Sequence, residues 1–152
     1  MSRLEEVGDA DDWRCWLCDE AVDPELSVND DRGPSIDTRE TKAKAKASKK
    51  RGGGPRQERL AHRACNTGKG ATEPVVVWPD HLFVVDPAPI IPTVERLGRK
   101  GGREAVARCP SLDDAQTAGA WLVDRISRLE PGLDVTTEIE PGGGQHLLIL
   151  RA

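Results

Sequence analysis

The chain has 152 residues, 37% of them hydrophobic but with one Phe and no Tyr, so any core is aliphatic and burial per residue will be modest. No apolar run is long enough for a bilayer span, and a charged stretch rather than an apolar signal segment follows Met1. A membrane role is therefore without support, and a cytoplasmic protein is expected.

Charge is unevenly placed along the chain. The net charge of -4 combines 3 Lys+Arg against 12 Asp+Glu in residues 1–38, 11 against 2 in residues 39–70, and 8 against 12 in residues 71–152. A basic middle between acidic flanks is what a localised polyanion contact needs, because phosphate binding depends on clustered charge. A solvated lysine loop that merely aids solubility would give the same pattern.

Taken in order, residues 1–12 read as an acidic tail or short helix. Cys15-Trp16-Leu17-Cys18 reads as a thiol knuckle, with Trp13 and Trp16 placed to keep water away from it. Residues 19–31 read as loops around a brief extended segment at Leu26-Ser27-Val28, and Ser35-Ile36-Asp37-Thr38 as a short strand. Lys alternates with Ala through residues 41–50 before Gly52-Gly53-Gly54-Pro55, which favours a loop. Residues 57–66 suit a helix, with Gly68 and Gly70 as stop signals.

Beyond Lys69 the character changes. Residues 74–79 and 82–85 predict two short strands, residues 87–92 an extended connector, and residues 93–97 a brief helix stopped by Gly98. Residues 105–109 predict another strand, in which Cys109 would be a small buried hydrophobe. Ser111 is an N-cap candidate for a helix whose core face is Ala115, Ala118, Leu122, Ile126 and Leu129, ended by Pro131-Gly132. Val135, Thr137 and Ile139 alternate with polar residues, Gly142-Gly143-Gly144 turns the chain, and residues 146–150 return as a closing strand. The fold class is thus α+β: residues 13–72 form a small metal-stapled module with a basic loop at 39–56, and residues 74–152 form a β-α-β-β domain.

The chemistry is concentrated in two matched pairs. Cys15 with Cys18, and His62 with Cys65, are each spaced i and i+3, and four such ligands close a tetrahedron around one structural zinc ion. A redox dithiol is the alternative for the first pair. Three of the four cysteines fall in this pattern, which argues against a disulfide framework.

Cys15-Trp16-Leu17-Cys18, Ser35-Ile36-Asp37, Gly52-Gly53 and the block from Leu60 through His62-Arg63-Ala64-Cys65-Asn66-Thr67-Gly68-Lys69-Gly70 together resemble the zinc-containing branch of the HNH endonucleases. The resemblance implies a zinc-stapled ββα unit of treble-clef type. It also implies a second, catalytic cation, Mg2+ or Mn2+, held against a scissile phosphate by Asp37 and Asn66, with Lys69 near the phosphate. Thr38 stands where the family places its general-base histidine, and the middle Asn position falls at Gln57. A hydroxyl does not replace imidazole as a base at neutral pH.

The expected function is therefore binding of nucleic acid, DNA first, through Lys42, Lys44, Lys46, Lys49, Lys50, Arg51, Arg56 and Arg63, with phosphodiester hydrolysis weakened or lost. Two alternatives are an active endonuclease with a displaced base, for which Asp80-His81 is the candidate, and a zinc-stabilised module whose C-terminal domain holds a protein partner.

Overall fold

The computed structural model describes residues 1–38, 58–70, 72 and 74–152. Four helices and two small antiparallel sheets are present among them, a mixed α+β chain. They fall into two compact units, Met1–Val75 and Val76–Ala152.

The first unit begins with α1 (Arg3–Ala10), so the acidic start is a helix rather than a tail. Ser2 Oγ accepts from the Glu5 amide while the Glu5 carboxylate accepts from the Ser2 amide, and this reciprocal cap supplies partners for N–H groups the helix cannot satisfy. Asp11, just past the helix end, accepts from Arg59 Nε at 2.8 Å and from the Leu60 amide at 2.6 Å, which ties α1 to the following sheet.

That sheet pairs β1 (Pro34–Thr38) with β2 (Glu58–His62) in antiparallel register from Pro34 opposite His62 to Thr38 opposite Glu58. Helix α2 (Arg63–Lys69) follows β2 without a break. The helix expected over residues 57–66 is therefore half strand. Leu60, Ala61 and His62 are all buried against the unit, and that tertiary burial overrides their helical spacing. The extended segment expected at residues 26–28 is instead a run of turns, with Ser27 accepting from the amides of Asn29 and Asp30.

The second unit contains α3 (Ile90–Lys100), β3 (Arg103–Cys109), α4 (Leu112–Leu129), β4 (Thr136–Gly142) and β5 (Gln145–Arg151). Its sheet has the order β3-β5-β4, antiparallel throughout. Gly143 and Gly144, at φ 59° and 78°, make the two-residue turn between β4 and β5, where positive φ at both positions matches the strand twist. The α4 residues Ala115, Ala118, Leu122, Ile126 and Leu129 are buried, as their spacing predicts. Gly119 lets the helix approach closely, since a Cβ there would meet Leu148 Cδ1 and Thr137 Cγ2 at 3.2 Å. On the opposite sheet face, Arg103 and Arg151 both pair with Glu138, and Ile149 is buried on the same side.

Two sequence expectations fail in this unit. Residues 74–85 form no strand: Val75 and Val77 face outward with 71% and 60% exposure, and only Val85 bridges to Arg108. Helix α3 is longer than expected, starting at Ile90 and running through Gly98 to Lys100, with Gly101 as its C-cap. Pro92 is tolerated because it lies in the first turn, where an N–H has no intrahelical acceptor to lose.

Ser111 caps α4 by accepting from the Asp114 amide at 3.1 Å. Ser111→Ala is expected to cost about 1 kcal/mol. In a unit of this size a thermal melt should fall by roughly 4–8 °C, and an unchanged melt would show the cap to be idle.

Candidate metal centre

Two local structures carry the ligands. Residues 13–22 form a small hairpin, with Arg14 bridged to Ala21, the Val22 amide bonded to Trp13 O at 2.8 Å and the Cys15 amide to Glu20 O at 2.9 Å. The Asp19 amide donates to Cys15 O at 2.8 Å, and Asp19 takes φ 69° to close the knuckle, a conformation Asp tolerates better than most residues. The Trp16 amide bonds Leu60 O at 2.9 Å, which docks the knuckle on β2.

The second pair sits at the junction of β2 and α2. His62 is the last strand residue and the N-cap of α2, and Cys65 lies in the first helical turn. The helix expected over residues 57–66 would have carried both; they sit instead at a strand-to-helix corner. That corner is held from the other side, where Gly33 O and Asp31 O accept from the Arg63 and Ala64 amides, each at 2.9 Å. Gly33 has no substitute there, because a Cβ would lie 2.0 Å from Ser27 O.

These elements bring Cys15, Cys18, His62 and Cys65 together, with ligand atoms within 4.8 Å of one another. His62 Nδ1 is 3.3 Å from Cys18 Sγ and 3.9 Å from Cys65 Sγ. A tetrahedral zinc with Zn–S near 2.3 Å and Zn–N near 2.0 Å requires ligand separations of about 3.5–3.8 Å, so the group needs little adjustment to hold one. His62 Nε2 lies 2.9 Å from Ala21 O, an atom that only accepts, so Nε2 carries the proton and Nδ1 presents its lone pair to the thiols.

The donor chemistry fits a cation as well. A hydrogen bond from Cys18, aided by the His62 amide at 3.4 Å, pulls the Cys15 thiol down to about 4 despite burial. Cys18 is pushed up, first because its proton is held in that bond and then by burial, and Cys65 is pushed up by burial and the Cys15 charge. A bound divalent cation would favour the thiolate form of all three. Arg32 pairs with the Glu20 carboxylate, which holds its guanidinium above the usual value.

The residues the resemblance marks as catalytic occupy the same unit. Asp37 is 4% exposed; its Oδ2 accepts from Trp16 Nε1 at 3.1 Å and its Oδ1 pairs with Lys69 Nζ at 3.3 Å. Asn66 Nδ2 donates to Ser35 Oγ at 2.8 Å and to Ile36 O at 3.3 Å. Asp80 and His81 lie in a turn of the second unit.

Of the predicted nucleic-acid contacts, Lys42, Lys44, Lys46, Lys49, Lys50, Arg51 and Arg56 lie outside the described residues, as does Gln57. Arg63 is exposed and paired with Asp31 at 3.0 Å. Sequence reasoning missed the parts played by the Trp16 indole, the Ala21 carbonyl and Gly33. The first two depend on tertiary approach, but Gly33, in Asp30-Asp31-Arg32-Gly33-Pro34, carried a turn signal.

Fold and site together define a mixed α+β chain whose first unit carries three cysteines and a histidine able to hold a zinc ion. Comparison with protein-family models, curated proteins and solved structures finds no match for this chain. Among the described residues, no helix is long and apolar enough to cross a membrane.

Proposed function

We propose that the chain binds nucleic acid, DNA in the first instance, through a zinc-stapled, HNH-endonuclease-like module that keeps the scaffold without the hydrolysis. The observation that carries this reading is the register of β1 and β2. Thr38 stands opposite Glu58, so the intervening residues 39–57, with eight Lys+Arg against one Glu, leave and rejoin the unit at adjacent strand positions. A polycationic segment anchored at both ends by a strand ladder is suited to phosphate contact.

Charge elsewhere in the unit supports the same assignment. Arg3, Arg14, Arg32, Arg59, Arg63 and Lys69, the described basic residues of the first unit, all have carboxylate partners. The remaining Lys+Arg of this unit, eight in number, fall in residues 39–57. Phosphate contact by Arg63 would require exchange of its surface partner Asp31, a small cost.

Hydrolysis is disfavoured by the burial of Asp37, by the engagement of both its oxygens, and by Thr38 at the position of the base. Purified full-length protein incubated with supercoiled plasmid and Mg2+ or Mn2+ should retard the DNA at low salt and leave it uncut even at high protein excess. Nicking that disappears in Asp37→Ala or Asn66→Ala would restore the nuclease reading. Absence of any salt-dependent retardation would remove the binding reading.

A further inference from the structure

The two ligand pairs lie on separate elements, the hairpin of residues 13–22 and the β2–α2 corner, and a tetrahedral site tolerates only a few tenths of an ångström in their separation. We infer that β1 is the splint that sets this separation, with Asp37 as the positioning residue at its centre and Asn66 as a second tie. The inference rests on the zinc reading of the four-ligand group and gives Asp37, Asn66 and Lys69 a role in metal affinity.

Asp37 bonds in two directions. One oxygen holds the indole of Trp16, which lies between the ligands Cys15 and Cys18; the other holds the ammonium of Lys69, one helical turn beyond Cys65. Trp16 is 1% exposed, Asp37 4%, and the Lys69 side chain 5%, so water does not compete for these bonds. A buried ion pair is stiff, because moving either partner leaves an uncompensated charge in a low-dielectric setting. Asn66, directly after Cys65, donates to Ser35 Oγ and Ile36 O, both on β1. Three consecutive residues of one strand thus hold the knuckle at one end and the ligand-bearing helix at the other. A second cation at Asp37 would have to share its oxygens with Lys69 and Trp16.

The test uses zinc-loaded full-length protein and a chromophoric chelator that competes for the metal, with the cobalt-substituted visible spectrum as a report on ligand geometry. Asp37→Ala and Asn66→Ala are each expected to weaken zinc binding by about 10–100-fold, the usual effect of removing a group that orients metal ligands. Asp37→Asn, which keeps an acceptor for Trp16 but loses the Lys69 charge pair, should fall between Asp37→Ala and the parent. Its cobalt spectrum should shift as the tetrahedron relaxes. Glu25→Gln, on the exposed loop, should match the parent.

If Asp37→Ala does not accumulate as folded protein, Asn66→Ala and Asp37→Asn decide the matter. Zinc affinity within twofold of the parent in both, with an unshifted cobalt spectrum, would overturn the inference. A parent protein that binds no zinc would overturn the metal module as well, so the two failures are distinguishable.

Discussion

Withdrawing zinc from the metal-loaded full chain by a strong chelator, or removing a candidate ligand by Cys15→Ala, is expected to unfold the elements of the first unit and leave those of the second folded. Among the described residues of the first unit the larger buried apolar side chains are few: Val7, Trp16, Leu17, Val22, Pro34 and Leu60. Each contributes about 1.5–3 kcal/mol on full burial, and the ordering entropy of the chain opposes their sum. A structural zinc supplies roughly 10–16 kcal/mol at neutral pH in small modules, more than the net stability of most whole domains, about 5–15 kcal/mol. Cys15 is also fully buried and accepts from the His62 amide, so its loss removes a ligand and a bond between the two half-sites.

Amide spectra of the full chain should therefore lose dispersion for the first unit when metal is withdrawn. Signals from α4, β3 and β5, whose core of Leu122, Ile126, Leu148 and Leu150 is separate from the metal ligands, should stay in place. Retention of first-unit dispersion in a verified metal-free sample would show that the staple is dispensable.

Neutralising Lys42, Lys44, Lys46, Lys49 and Lys50 together is expected to have the second large effect. With eight Lys+Arg available in residues 39–57, parent affinity for duplex DNA should fall roughly a thousand-fold or more between about 50 and 200 mM salt. Each lost phosphate contact reduces the magnitude of the log–log salt slope by about 0.9, so the fivefold variant should lose about 4.5 from the slope. The zinc content and amide spectrum of the first unit should be unchanged, because the substitutions lie between two strand positions held by the β1–β2 ladder. A slope equal to that of the parent would place the polyanion contact elsewhere.

What could be read from the residues alone follows from how local each determinant is. The convergence of the four candidate ligands was legible because two pairs of soft donors at equal spacing rarely arise by chance, and α4 because its apolar face, cap and stop signal agree. The β2–α2 corner was not, since Arg59 to Cys65 has helical spacing and only pairing with β1 makes half of it a strand. Residues 74–85 carry strand-like composition, but strands need neighbours, and only Val85 finds one. Asp37 illustrates the limit for the site. Its position matched a cation ligand, yet its partners lie 21 and 32 residues away at Trp16 and Lys69, and nothing in its neighbourhood along the chain reveals that both oxygens are committed.

X-ray absorption at the zinc edge on metal-replete full-length protein tests the central claim most directly. One zinc per chain with three sulfurs near 2.3 Å and one nitrogen near 2.0 Å, values typical of such sites, is the predicted result. A substoichiometric metal, or a first shell dominated by oxygen, would contradict the four-ligand centre and the module built around it.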